Sequence, residues 1–553
     1  MKQRRSGGLW CAIVLASLLG MGCSVESAED RAAPPPSDVT IERYPWLGAP
    51  EAVRWEEGFR VEASLEIEPP ELATVPTEIV LPDRETWEIA VIIEAPDFEV
   101  VEGAPLQMIA MDREAASSVA SFTLRTPPAA PVNPTPFSAL ISASYWFENR
   151  FLARVSKRVT IGEESLPPSP PLGEAVARVD LALDRDEADL VVTVVDRTLV
   201  LAAPELGSRP IVRTIEPTSA EDRRQLQQLY GELADVAATR NLGAGGDATR
   251  EVDDAAARAA VVRAGRVLWQ RLAPEAFKSA FWDLADRLGD DFDSLQIYAD
   301  DPVIPWELMR PSRDGAPERG FLGLEFEVAR GHLPRESGGF GQMPGLIPFE
   351  RLLVMRPEYN PPLLGTADEL RALEGFLLVS PEIIPSTYRE LTRIAQDLPN
   401  GILHFAGHGV ETMSEESGTQ YSILLDRPVT LAEWLGLLPE PRFRNHPLIF
   451  FNACDVGKTH QSFGFAEGWA PAFLEAGAAG YIGTLWPVAD RAAARFAIRF
   501  YHALELALRT GRGVGHPSRA IREARQLFTE DPDPTYLAYV YYGETDLMLA
   551  LRP

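Results

Sequence analysis

His408 and Cys454 are the two side chains in this sequence whose type and surroundings suit covalent chemistry. His408 lies two residues past the apolar run that ends at Ala406 and is flanked by Gly407 and Gly409, while Cys454 lies three residues past the run Leu448–Phe451. A thiol attacks a carbonyl carbon as its thiolate, and an adjacent imidazole both lowers the thiol pKa and hands the proton on to the leaving amine. Two parallel strands would carry such a pair to one sheet edge, because reactive groups gather beyond the carboxyl ends of the strands. The glycines let the chain turn sharply after the histidine, and the N–H groups of Gly409 and Cys454 are then candidates for an oxyanion hole. His404, inside the apolar run, reads instead as a hydrogen-bonded core histidine.

The elements that must position these residues follow from the patterning. From Arg351 onward, short apolar runs alternate with amphipathic segments, which predicts a parallel sheet with crossover helices. Strands are expected over 351–355, 401–406, 422–425, 447–451 and 480–483, and helices over 367–376, 386–397, 465–476, 490–508 and 517–528. Residues 346–553 are thus expected to form an α/β domain with a mostly parallel sheet flanked by helices. Upstream, residues 176–345 combine short strands with two helical stretches, about 220–239 and 247–271, interrupted by Gly243, Gly245 and Gly246.

Residues 46–162 read differently. Phe59, Val61, Ala63, Leu65 and Ile67 alternate with polar residues, and further strand-like runs separated by proline-rich turns predict an all-β sandwich. This segment contains no histidine and no cysteine, so a binding or spacer role suits it better than catalysis. A stiff linker at 163–175, with Pro167, Pro168, Pro170 and Pro171, separates it from the rest.

The first residues read as an address. Lys2, Arg4 and Arg5 precede an apolar stretch from Leu9 to Leu19, then Gly20, Met21, Gly22 and Cys23. A signal peptide over 1–22 and a lipidated cysteine at Cys23 are expected, with residues 23–45 as a proline-rich tether. The placement implied is an exported, membrane-anchored lipoprotein of a bacterial cell envelope, facing the periplasm or the surface. Cys454 would then be the free thiol of the mature chain.

With 553 residues the chain exceeds a single core. Its net charge of −29 excludes phosphate backbones as partners unless a local basic patch overrides it, and none is visible. Three cysteines are too few for a disulfide framework or a four-thiolate zinc site. His332, His446, His460, His502 and His516 show no metal-ligand spacing, so neither a metal nor a cofactor is expected.

The stretches His404–Gly409, Asn452–Gly457 and Gly483–Asp490 together resemble the CHAT domain, a caspase-like cysteine protease related to separase. Leu364–Leu373 is similar to the helix-opening segment of that family, and Ile304–Leu308 to its upstream segment; the resemblance spans about residues 176–545. It implies a caspase-like fold, His408 as general base and acid, Cys454 as nucleophile, and Gly409 contributing to the oxyanion hole. It makes 176–345 a non-catalytic half that buttresses the protease. It also points to a carboxylate in the substrate pocket, Asp490 or else Asp455, selecting Arg or Lys before the cut. Asp490 has a second role open to it as the cap of the helix that follows. Protein substrates, and an activating protein partner on residues 46–162, are the partners implied.

Two other classes fit parts of the sequence. Asn452–Thr459 falls one glycine short of a phosphate-cradling G-x-x-x-x-G-K-T loop. A catalytically silent envelope adaptor, binding partners through the β-sandwich and the CHAT-like region, accounts for the same architecture.

Overall fold

In the computed structural model most of residues 38–551 are described. Outside the description lie residues 1–37, 70–76, 129–136, 163–187, 333–344, 456–464, 552–553 and a few segments of one to four residues. The expected signal peptide, Cys23 and the linker expected over 163–175 therefore lie outside the described residues. Among those described, no helix is long and apolar enough to cross a membrane.

Residues 38–161 form two five-stranded sheets packed face to face. The alternation read in the sequence sets the inner face: Val61, Ala63 and Leu65 are fully buried, and they meet Ile89, Val91 and Tyr145 from the second sheet in one core. The buried Tyr145 hydroxyl is shared between the carbonyls of Trp46 and Ser64, both at 2.8 Å, and so ties the two sheets together. The first strand, Asp38–Gly48, begins inside the segment expected to be tether, because Val39 and Ile41 pair with Leu81 and Ile79 on the strand Thr77–Pro82, and Tyr44–Gly48 pair with the strand Gly58–Glu66 on the other side. The opposite face of the second sheet is also apolar. Ala90, Ile92 and Trp146 pack there against Val200 and Val212, which belong to the outermost hairpin of the large sheet.

That large sheet has thirteen strands and runs through both later segments of the chain. Its upstream strands Leu190–Val195, Ser294–Ala299 and Glu327–His332 are parallel neighbours. Glu327–His332 then lies beside Tyr539–Gly543, which joins the upstream half to Gly480–Thr484, Leu448–Asp455, Gly401–Ser414, Arg351–Met355 and Pro381–Ile384 in spatial order. A single apolar core spans both halves.

The sheet is mixed, not mostly parallel. Tyr539–Gly543 runs antiparallel to Gly480–Thr484 in the middle of the sheet, and both margins carry antiparallel hairpins. The chain reaches this last central strand from Gly480–Thr484 through the helices Asp490–Thr510 and Pro517–Arg525, and the short helix Thr535–Ala538 leads directly into it. Its residues Tyr539, Val540, Tyr541 and Tyr542 are all buried, as aromatic and β-branched residues favour in a central strand.

Candidate active site

His408 and Cys454 are register partners on adjacent parallel strands. The ladder runs without interruption from Ile402 opposite Leu448 to Gly409 opposite Asp455. Neighbouring strands lie about 4.8 Å apart, so the two positions are as close as two strands allow. Both residues lie within their strands and not beyond the strand ends, which corrects the reading of the sequence. The histidine strand continues through Gly407 and Gly409 because Gly418–Leu424 pairs with it from Gly409 to Ser414 and supplies hydrogen-bond partners where a turn was expected.

Gly407 has a packing reason to lack a side chain. A Cβ there would sit 2.5 Å from the hydroxyl of Tyr359 and 2.7 Å from the Phe405 ring. The Tyr359 hydroxyl accepts the main-chain N–H of His408 at 2.9 Å and donates to the Leu424 carbonyl at 2.7 Å. Its ring lies 4.3 Å from the imidazole, tilted by 50°. Nothing in the sequence singled out Tyr359, which lies in the irregular segment Pro357–Asn360.

Beneath the pair runs a buried polar chain. Asn452 donates its side-chain N–H to Glu369 at 2.8 Å and accepts the hydroxyl of Tyr539 at 2.6 Å. Glu369 Oε1 lies 2.9 Å from Nε2 of the fully buried His404, whose Nδ1 meets the Tyr501 hydroxyl at 3.1 Å. The Nε2 contact is a close electrostatic approach without the alignment of a hydrogen bond. Glu369 reaches in from the helix Leu364–Glu374 and Tyr501 from the helix Asp490–Thr510. Burial of Tyr501, with Glu369 nearby, pushes its phenol well above the usual tyrosine range. His404 is thus a partnered core histidine. Glu369 and Asn452 went unassigned in the sequence, although both fall in the stretches that carried the family resemblance.

Gly409, buried, follows His408 in the ladder and stands opposite Asp455 on one side and Ile423 on the other. Asp490 opens its helix and is half-buried, and its Oδ2 accepts the main-chain N–H of Gly365 at 2.8 Å. The carboxylate therefore serves the first turn of the neighbouring helix Leu364–Glu374. A Cβ on Gly365 would stand 2.5 Å from the Asp490 carbonyl oxygen, so the two helices approach at van der Waals contact there.

The upstream stretch Ile304–Leu308 places Glu307 in a buried ion pair with Arg330, Nε to Oε1 at 2.9 Å, with a second, shorter contact from Nη2 to Oε2. Arg525, also fully buried, lies 3.9 Å from Glu307 and donates to the Tyr539 carbonyl at 3.0 Å. Burial opposes ionisation of Glu307, but Arg330 and then Arg525 outweigh it and hold the carboxyl below its ordinary range. Trp486, after the strand Gly480–Thr484, stacks on Tyr230 of the upstream half at 5.3 Å. These contacts bind the two halves into one body around the paired strands.

Among solved structures, the Arg-specific cysteine proteinase gingipain R is similar over 50% of this chain and 69% of its own, at 13% identity and a TM-score of 0.33. The Saccharomyces cerevisiae separase–securin complex is similar over 66% of this chain at 12% identity and a TM-score of 0.37, and this chain spans 30% of the length of that one. The complex of Porphyromonas gingivalis RgpB pro- and mature domains is similar over 51% of this chain and 71% of its own, at 11% identity and a TM-score of 0.31. No curated protein matches the chain in sequence. The family model of the CHAT domain matches residues 104–542, well over half of the sequence. The chain belongs to the CHAT domain family.

Proposed function

We propose that this protein is a caspase-like cysteine endopeptidase in which Cys454 is the nucleophile and His408 the general base and acid. The observation that carries the reading is the register of the two residues on adjacent parallel strands, in a chain of the CHAT family. In this mechanism the Cys454 thiolate attacks the scissile carbonyl carbon and the bond to the amine breaks. His408 delivers the thiol proton to the departing nitrogen, and water then hydrolyses the thioester. The N–H groups of Gly409 and Cys454 stabilise the oxyanion. A carboxylate selects Arg or Lys before the cut: Asp490, anchored by Gly365, is the first choice, and Asp455, next to the nucleophile, the second.

The same reading places the protein in the bacterial cell envelope, lipidated at Cys23 and carrying its β-sandwich as a partner-binding element between anchor and protease. Incubation with a thiol-directed covalent peptide probe ending in Arg tests the proposal. Labelling at Cys454 that disappears in His408→Ala is expected, and labelling that survives His408→Ala at the wild-type rate contradicts the dyad.

A further inference from the structure

We infer that Tyr359 is a positioning residue for His408, fixing where the imidazole stands relative to the cysteine strand; the inference rests on the peptidase reading of this site. The strand Arg351–Met355 accompanies the histidine strand only as far as Met355 opposite Phe405. Three residues further along, at His408, that neighbour has ended. Tyr359 takes its place: one hydroxyl accepts the His408 N–H and donates to Leu424 on the strand beyond. Two hydrogen bonds at one oxygen fix the phenol, and a fixed phenol sets the plane of a ring 4.3 Å from the imidazole. The imidazole thereby loses rotamers that would swing it across that ring.

Gly407 supports the assignment independently, because any Cβ there would collide with the tyrosine hydroxyl at 2.5 Å. The glycine before the histidine makes room for the phenol and does not turn the chain. Displacing a catalytic base by about 1 Å costs on the order of 100-fold in rate, so a group that fixes its ring has a measurable share in the reaction.

The test uses the full chain as wild type, Tyr359→Phe and Tyr359→Leu, each checked for an unchanged circular-dichroism spectrum. The first readout is the Cε1–H resonance of His408 in protein labelled with 13C-histidine, assigned by its loss in His408→Gln. The second is the rate of Cys454 alkylation by iodoacetamide, followed on the peptide by mass spectrometry. In the wild type the adjacent phenol displaces the resonance by its ring current. Tyr359→Leu abolishes that displacement and slows alkylation by roughly 10-fold to 100-fold. Tyr359→Phe keeps part of the displacement, broadens the line and slows alkylation less, and with a confirmed substrate it lowers kcat and leaves KM unchanged. If Tyr359→Leu does not fold, Tyr359→Phe decides alone. A folded variant whose line and alkylation rate match the wild type overturns the inference. An unreactive Cys454 in a wild type that shows the ring-current displacement counts against the peptidase reading and leaves the placement of His408 standing.

Discussion

Asn452 and Glu369 meet at 2.8 Å in the core, the amide of one donating to a carboxylate that is 2% exposed. A carboxylate so placed is tolerated only with partners, and here His404 and Asn452 supply them from the two strands that carry the candidate dyad. The contact ties the helix Leu364–Glu374 to both strands at once, below the level of His408 and Cys454.

Removing one member of this chain should cost stability. Glu369→Ala is expected to lower the unfolding free energy by about 3 kcal/mol, since it strands the buried amide of Asn452 and the ring of His404. His404→Gln should lose stability to a similar degree while altering cleavage less. Urea unfolding of the two variants checks this, and a change below about 0.5 kcal/mol would show that the chain carries no load.

The Glu307 carboxyl titrates below its ordinary value of 4.5 because Arg330 and Arg525 outweigh its burial. Its folded-state pKa is depressed, so its contribution to stability is present above about pH 4.5 and is lost as pH falls through the lower folded value. Glu307→Gln should be destabilised near neutral pH and should show a shallower loss of stability on acidification. Unfolding curves taken from pH 7 down to pH 3 read both effects; parallel curves for variant and wild type would contradict the assignment.

Asp490 separates specificity from capping. Its bond to Gly365 is worth about 1 kcal/mol, so Asp490→Ala should lower stability by that amount. If the carboxylate also recognises the substrate, cleavage after Arg and Lys should fall by more than 100-fold with no matching loss of fold. Equal activity of the two proteins on an Arg substrate would reduce Asp490 to a tether between helices and move the specificity role to Asp455.

Cys23→Ser tests the anchor. The variant should leave the membrane fraction or accumulate unprocessed, because stable attachment requires more than one acyl chain and all of them depend on that thiol or the terminus it creates. A Cys23→Ser protein that is processed normally and stays with membranes would remove the lipoprotein reading.

Several elements that position the candidate site could be read in the sequence, and the misreadings have physical causes. The strand Arg351–Met355 and the start of the helix Asp490–Thr510 match the patterning because apolar runs and an acidic first turn are local signals. The strand character of Gly407, His408 and Gly409 was hidden because glycines around a histidine look like a turn. Only pairing with the hairpin strand Gly418–Leu424 and with the cysteine strand, more than 40 residues on, keeps them extended. The direction of Tyr539–Gly543 is a property of chain routing, which no residue pattern encodes. Glu369 and Tyr359 went unassigned because their partners lie 83 and 49 residues away, respectively, in the chain.

The central claim is that His408 and Cys454 act together to cut peptide bonds. The most direct measurement exposes a native protein extract to the wild type and, in parallel, to Cys454→Ala and His408→Ala, and compares the new N-termini by mass spectrometry. The account predicts new termini that follow Arg or Lys with the wild type and none with either variant, while all three proteins unfold alike. Termini produced equally by Cys454→Ala, or a wild type that cuts after Asp and ignores Arg and Lys, would contradict it.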